Sequence, residues 1–135
     1  LFTPLLHYPE RHYRAKLARV DCVPGSLLLV EISSFLRAGG YDERVFLYEE
    51  EYILGQRLRK IGAKTAVLTS KRYLHRHAAS IGKSYRRALD RQKLREDAMR
   101  FYFRHYLGCK RPALLFAAFY FALIRLEIFL TGGGR

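Results

Sequence analysis

The sequence predicts a mixed α/β fold up to about residue 80, followed by helices. Two short apolar runs of strand length, residues 26–32 and 64–70, enclose a segment with helical periodicity at residues 49–61. Residues 85–106 contain no Pro or Gly, which is typical of one long helix. The 135 residues correspond to one ordinary domain. The chain begins with Leu1, and we expect it to be a piece of a longer protein.

The first elements follow from turn signals and apolar runs. Residues 1–19 are basic and without clear periodicity, so we expect them to be irregular. The run SLLLVEI at residues 26–32 follows the turn signal Pro24-Gly25 and predicts a strand. Gly39 and Gly40 then interrupt the chain.

The helical segment at residues 49–61 places four apolar side chains on one stripe: Ile53, Leu54, Leu58 and Ile61. Gly62 supplies a stop signal, and residues 64–70 predict a further strand. Residues 85–106 then predict a helix in which Tyr, Leu, Phe and Met residues are interleaved with arginines, and an apolar segment follows at residues 112–131.

The charge balance favours anionic partners. The chain has 25 Lys and Arg against 12 Asp and Glu, a net charge of +13, which suits nucleic acid, acidic lipid or a phosphorylated substrate. The basic residues are concentrated in residues 83–111. The two cysteines, Cys22 and Cys109, form no CxxC or metal pattern, so we expect free thiols in a reducing compartment.

Glu49, Glu50 and Glu51 stand together at the start of the predicted helix at residues 49–61. One interpretation is electrostatic: a helix N-terminus stabilises a nearby carboxylate by about 0.3–1 kcal/mol. The other is chemical. Glu50 precedes Ile53 and Leu54 by three and four residues, at the edge of the predicted core, where burial tunes a carboxylate for general-base catalysis.

The segment VDCVPGSLLLVEISSFLRAGGYDERVFLYEEEYILGQRLRKIGAKTAV and the later LHRHAAS resemble the C-terminal half of family 2 glycosyltransferases with the GT-A fold, especially rhamnosyltransferase-like members. The resemblance spans about residues 18–82. The matching residues, in order, are Val20, Asp21, Gly25, Phe35, Gly39, Gly40, Asp42, Glu43, Phe46, Leu47, Tyr48, Glu50, Glu51, Leu54, Arg57, His75 and Ser80.

The resemblance implies specific roles. Glu50 and Glu51 take the places of the family's Glu-Asp pair, so Glu51 stands where the catalytic base is Asp, and Ile53 stands where a second Asp is frequent. Asp21 and Gly25 are implied to lie at the substrate. Arg57 is implied to contact phosphate or orient the acidic pair, although a simple helix salt bridge explains it equally well.

The implied reaction is an inverting transfer from a nucleotide-sugar donor, aided by Mg²⁺ or Mn²⁺. His75 is the residue implied to help hold the metal or diphosphate, against the alternative of an ordinary loop histidine, which is our interpretation of His77. The family's nucleotide-binding half, with its Asp-x-Asp metal motif, is not among these residues. We therefore expect most of the metal site to lie outside this chain and the isolated chain to be inactive.

The apolar segment at residues 112–131 has the length of a membrane span, but Arg125 and Glu127 interrupt it. We favour an interfacial or re-entrant helix over a membrane span. A helix buried in the protein core is an equally good interpretation. The preceding basic helix suits an anionic membrane surface, which a lipid-linked acceptor would make useful. The expected location is cytoplasmic and peripheral, on the inner face of the cell membrane.

The sequence thus predicts two regions. Residues 1–82 are the acceptor-side half of a GT-A domain, and residues 83–135 are a basic helix with a membrane-associating tail. The predicted function is transfer of a sugar to a saccharide or lipid-linked acceptor in cell-surface polysaccharide synthesis. The alternative is a non-catalytic basic module that binds a membrane surface or nucleic acid. We expect no nucleic acid, whose binding would weaken steeply with salt.

Overall fold

The computed structural model describes residues 8–74 and 87–132. A 3-10 turn at Glu10–Arg14 comes first. The strands are β1 (Leu17–Val20) and β2 (Thr65–Leu68), and the helices are α1 (Ile32–Arg37), α2 (Glu50–Lys60), α3 (Ala88–His105) and α4 (Arg111–Leu130). The predicted α/β class is confirmed, as is the change to helices after about residue 80.

Strands β1 and β2 pair antiparallel, with Leu17 opposite Leu68 and Val20 opposite Thr65. The predicted strand at residues 64–70 is confirmed by β2. The expectation that residues 1–19 are irregular is wrong at β1, whose four residues are too short for periodicity to show. Its alignment depends on a partner far away in sequence, which periodicity does not register.

The predicted strand at residues 26–32 is wrong. This segment forms turns and irregular backbone, and α1 begins at Ile32. Leu29 is 94% exposed and Leu27 is also exposed, so the apolar run is not covered by the described core. A run of strand length becomes a strand only where a partner edge satisfies its backbone groups, and β1 pairs with β2 instead.

Helix α2 supplies most of the core in the first region. Ile53, Leu54 and Leu58 are buried, which confirms three members of the predicted stripe. Gly62 follows the helix with φ of +77°, the left-handed conformation that glycine adopts at helix ends. Gly55 lies so close to β1's end that a Cβ there would stand 2.4 Å from the carbonyl oxygen of Asp21. Only glycine permits this approach of backbone to helix.

Helices α3 and α4 pack against each other as a hairpin around one buried carboxylate. Glu96 on α3 is 1% exposed, and its Oε2 lies 2.9 Å from Arg125 of α4 and 3.6 Å from Arg100. Phe121 is buried at the same contact, and Arg100 lies over its ring. Arg125, which interrupts the apolar segment, is therefore paired with a carboxylate of the neighbouring helix.

Hydrogen bonds connect the hairpin to the first region. The hydroxyl of Tyr106, just after α3, donates to Asp42 Oδ2 at 2.6 Å. One helix turn earlier, Gln56 of α2 donates to the hydroxyl of Tyr102 at 2.8 Å. The end of α3 is thereby fixed against α2 and the turn that precedes it.

Candidate active site

The acidic cluster lies where the chain reverses into α2. Tyr48 and Glu49 have positive φ values of 65° and 58°, which side-chain-bearing residues rarely adopt. Glu49 is the residue before the helix, and Glu50 and Glu51 form its first turn. Strained backbone of this kind costs about 1–3 kcal/mol per residue and is concentrated at functional sites. The turn places the start of α2 against the loop that follows β1.

Glu51 contacts that loop directly. Its Oε1 accepts a hydrogen bond from the backbone N–H of Gly25 at 2.8 Å. A Cβ at Gly25 would stand 2.6 Å from the same oxygen, so the absence of a side chain gives the carboxylate its room. Two residues that the sequence singled out, 26 positions apart, therefore meet in the fold. Among the described residues, Glu51 forms no salt bridge.

Glu50 is in a different environment. Its Oε2 is buried and has no hydrogen-bond partner among the described residues. Burial raises the pKa of Glu50, and the negative charge of Glu51 raises it further. Leaving a buried polar atom unsatisfied costs about 1–3 kcal/mol, and such a group in a perturbed environment is a candidate for catalysis. Glu50 is half-buried, which agrees with its expected place at the edge of the core.

Glu49 shares this environment. Burial raises the pKa of its carboxyl, the charge of Arg95 on α3 opposes that rise, and the charges of Glu50 and Glu51 add to it. The cluster is thus a set of neighbouring carboxylates of which two have raised pKa values. Carboxyl groups in a perturbed environment of this kind are candidates for general acid–base catalysis.

Asp21 lies at the start of the same loop but is exposed. Its Oδ2 accepts a hydrogen bond from Tyr8 at 2.8 Å, which raises the pKa of that phenol, and its Oδ1 lies 3.8 Å from Arg59. Its backbone carbonyl packs on Gly55. Asp21 therefore aligns the loop through its backbone, and its predicted contact with substrate stays a prediction.

The guanidinium group of Arg57 forms hydrogen bonds and an ion pair within the protein. Its Nη1 donates to the carbonyl oxygens of Gly39 and Gly40 at 2.8 and 3.0 Å. Its Nε donates to the Tyr106 hydroxyl at 3.0 Å, and its Nη2 lies 3.1 Å from Asp42 Oδ2. These contacts correspond to the salt-bridge interpretation of Arg57. Its predicted role at the substrate is untested.

Asp42 is the centre of this second cluster. It is 6% exposed and accepts hydrogen bonds from the Arg44 side chain at 2.9 and 2.8 Å, as well as from Tyr106. The bonds from Arg44 and Tyr106 hold the pKa of Asp42 well below its ordinary value. The sequence marks Asp42 through the resemblance. It offers no signal for Tyr106, which lies 64 residues further along the chain.

The predicted metal site is not assembled in the described part of the chain. Within residues 8–74 and 87–132, no three His, Cys, Asp or Glu side chains are grouped so that they could hold a metal ion. His75, the predicted metal residue, lies outside the described residues, as does His77. The described carboxylates alone do not fit a divalent cation, so we derive no step through one.

Comparisons with known proteins identify partial relatives. Over 64 residues the chain is 44% identical to the protein named N-acetylglucosaminyl-diphospho-decaprenol L-rhamnosyltransferase in two strains of Mycobacterium tuberculosis. The match covers 47% of this chain and 21% of each relative, so the chain matches about a fifth of the relatives' length. No family model and no solved structure matches. Part of this chain is therefore related to a glycosyltransferase.

Proposed function

We propose that this chain is the acceptor-side part of an inverting family 2 glycosyltransferase with the GT-A fold. It acts in cell-surface polysaccharide synthesis, with a nucleotide sugar as donor and a lipid-linked saccharide as acceptor. The observation that supports this most is the acidic pair at the start of α2, with Glu51 set against Gly25 at 2.8 Å. The name of the mycobacterial relatives, which specifies transfer of a rhamnosyl group and a diphospho-decaprenol-linked saccharide, supports sugar transfer and the acceptor class.

In this proposal Glu51 is the base. Its carboxylate removes the proton from an acceptor hydroxyl while that oxygen forms a bond to the anomeric carbon of the donor sugar. The bond from that carbon to the diphosphate breaks, and its electron pair leaves with the diphosphate. The Gly25 N–H orients Oε1 of Glu51. Glu50 is the neighbouring carboxyl of the pair, with a pKa raised by burial and by the charge of Glu51.

A divalent cation, Mg²⁺ or Mn²⁺, is part of the proposal only through residues outside the described part, among which His75 is the candidate. When bound, such an ion stabilises the charge of a departing diphosphate. The proton transfer to Glu51 does not depend on it.

Replacing the base tests the proposal. In the full-length protein, Glu51→Gln should reduce turnover by about 10²–10⁴-fold, the usual contribution of general-base catalysis, while donor affinity stays the same. Glu50→Gln is the matched control, since it removes the same charge one residue away. Sugar transfer and donor binding are measured for both variants.

The outcomes distinguish the assignments. Loss of turnover in Glu50→Gln with normal turnover in Glu51→Gln would reverse the roles within the pair. Normal turnover in both variants would reject the acidic pair as the site. It would favour the alternative of a non-catalytic basic module.

We also propose that the protein is cytoplasmic and associates peripherally with the inner face of the membrane through α4. Helix α4 is long and apolar enough to cross a membrane, with a mean hydropathy of 2.1, and 11% of its apolar window is buried. Most of its large apolar side chains are exposed, including Leu115, Phe116 and Phe119. The Glu96–Arg125 pair removes a charge that would oppose burial in lipid.

Vesicle sedimentation tests this placement. Changing Leu115, Phe116 and Phe119 to Ser should release the protein from anionic vesicles, because apolar burial contributes about 25 cal/mol per Å². The control variant changes Leu29, Ile32 and Leu36 to Ser, which are equally exposed apolar residues around α1. Equal release of both variants, or of neither, would contradict a specific role of α4.

A further inference from the structure

A polar cleft lies between the turn at Tyr48 and the first turns of α3. It is lined by Tyr48, Ala88, Arg91, Gln92 and Arg95 and has a volume of about 210 Å³. A water molecule's share of liquid volume is about 30 Å³, so the cleft has room for a polar group of several heavy atoms. It is separate from the Glu51–Gly25 contact.

The lining is suited to an anion. Arg91 and Arg95 are one turn apart on α3 and therefore project from the same helix face. The guanidinium of Arg95 lies 5.4 Å from the centre of the Tyr48 ring, which orients it. Planar guanidinium groups bind phosphate oxygens through paired hydrogen bonds, and Gln92 contributes an amide to the same wall.

The cleft adjoins the acidic cluster at Glu49. Tyr48, which forms one wall, directly precedes Glu49 in the chain, and the positive charge of Arg95 acts on Glu49. A molecule with an anionic group in the cleft would therefore lie beside the residue that precedes α2.

We propose that this cleft binds the diphosphate of a polyprenyl-diphosphate-linked acceptor, an inference that rests on the proposed function. Such an acceptor joins a diphosphate to an apolar chain. The structure places the two matching surfaces on one hairpin, because α3 provides the arginines and packs against α4, whose apolar side chains are exposed. Glu96, the residue after Arg95, fixes α4 through its ion pair with Arg125. A nucleotide diphosphate has no apolar chain for that second surface.

The test measures binding of farnesyl diphosphate to the full-length protein. Arg91→Gln with Arg95→Gln should weaken binding roughly 10- to 100-fold, the range of charge-assisted hydrogen bonds to phosphate. The control, Lys93→Gln with Arg104→Gln, removes the same charge from other faces of α3 and should leave binding unchanged. Ala88→Glu provides a second variant, since a carboxylate in the first helix turn favours the helix but repels an anion in the cleft.

The comparison ligands are a nucleoside diphosphate, farnesol, and vesicles containing anionic phospholipid. Weaker binding of farnesyl diphosphate alone in the Arg91/Arg95 and Ala88→Glu variants supports the proposal. It is overturned if the cleft and control variants bind equally, if nucleoside diphosphate is the ligand affected, or if vesicle binding falls in parallel.

The acceptor inference and the proposed function can fail separately. If the cleft variants bind farnesyl diphosphate normally while Glu51→Gln abolishes sugar transfer, the cleft assignment is wrong and the acidic pair stands. If the cleft variants lose binding while Glu51→Gln transfers sugar normally, the cleft is an acceptor site and the base is misassigned. Wild-type protein that neither binds the probe nor transfers sugar rejects both.

Discussion

Asp42 and the acidic cluster of Glu49, Glu50 and Glu51, which follows it by 7 to 9 positions, lie in opposite electrostatic environments. Asp42 is buried among two arginines and a tyrosine, and its pKa is well below the ordinary value. Glu50 is half-buried, its Oε2 has no hydrogen-bond partner among the residues that the structure describes, and its pKa is raised. A fully paired carboxylate stabilises the fold, whereas the carboxylates at the start of α2 are the candidates for proton transfer.

The largest effect should come from breaking the paired cluster. Arg57→Ala removes one of Asp42's partners and the donor to the carbonyl oxygens of Gly39 and Gly40. Removing one partner of a buried ion pair costs about 3–5 kcal/mol, and we expect about 3 kcal/mol because Arg44 and Tyr106 still bond to Asp42. The midpoint of urea denaturation of the full-length protein measures the change.

Arg59→Ala is the matched control on the same helix. Arg59 is exposed and lies 3.8 Å from an exposed Asp21, and exposed pairs contribute about 0–1 kcal/mol. Similar denaturation midpoints for the two variants would show that the Asp42 cluster is not the structural centre that its contacts indicate.

A smaller effect should come from moving the base without removing it. In Gly25→Ala the new Cβ would stand 2.6 Å from Oε1 of Glu51 and displace the carboxylate. A misplacement of about 1 Å can cost about 100-fold in rate, and we expect roughly a 10-fold loss of turnover because the Glu51 side chain can adjust. Donor affinity and the denaturation midpoint should be unchanged.

Leu29→Ala provides the control for this prediction, since Leu29 is in the same irregular segment and is 94% exposed. If Gly25→Ala lowered the denaturation midpoint and Leu29→Ala did not, the Gly25–Glu51 contact would stabilise the fold rather than orient the carboxylate.

The fold features that the sequence predicted are local. The stripe of Ile53, Leu54 and Leu58 and the stop at Gly62 depend on helical periodicity and backbone preference within one segment, and both are confirmed. The failed strand at residues 26–32 and the missed β1 depend on which edges pair. That choice is made between segments 45 to 51 residues apart (Val20 with Thr65 and Leu17 with Leu68), and it leaves no trace in either segment alone.

The candidate site shows the same difference between what the sequence predicts and what depends on contacts between distant segments. The resemblance brought Gly25 and Glu51 together as candidates, and the fold places them in hydrogen-bond contact. The resemblance also includes Asp42 and Arg57. Their shared partner Tyr106 lies just after α3, and only the fold shows that it contacts them. Gly55 was missed as well, because a glycine inside a helix signals a close contact only once the contacting backbone is known.

The smallest expected effect is on the pH dependence of stability, to which Glu50 and Asp42 contribute with opposite signs. Glu50 has a raised pKa in the folded protein, so the native state binds its proton more tightly than the unfolded state does. Its contribution to stability is therefore greatest below the ordinary carboxyl pKa and is lost as pH rises through the raised value. Asp42 has a lowered pKa, so its contribution is present above the ordinary value and is lost as pH falls through the lowered one.

Glu50→Gln and Asp42→Asn should consequently shift stability in opposite directions at about pH 7. Removing the Glu50 charge should raise the free energy of unfolding by about 0.5 kcal/mol or less, in the range of surface substitutions. This gain should vanish at a pH below the ordinary carboxyl pKa, where Glu50 is already neutral. Asp42→Asn should lower it, because Arg57 loses a charged partner, and this loss should shrink in acid. Denaturation midpoints of both variants and the wild type are measured from about pH 7 down to below the ordinary carboxyl pKa. The difference between each variant and the wild type then gives the slope of stability against pH for Glu50 and for Asp42. Slopes of the same sign would mean that the two clusters do not differ in pairing as their contacts indicate, and the assignment of Glu50 to the reactive site would lose its electrostatic support.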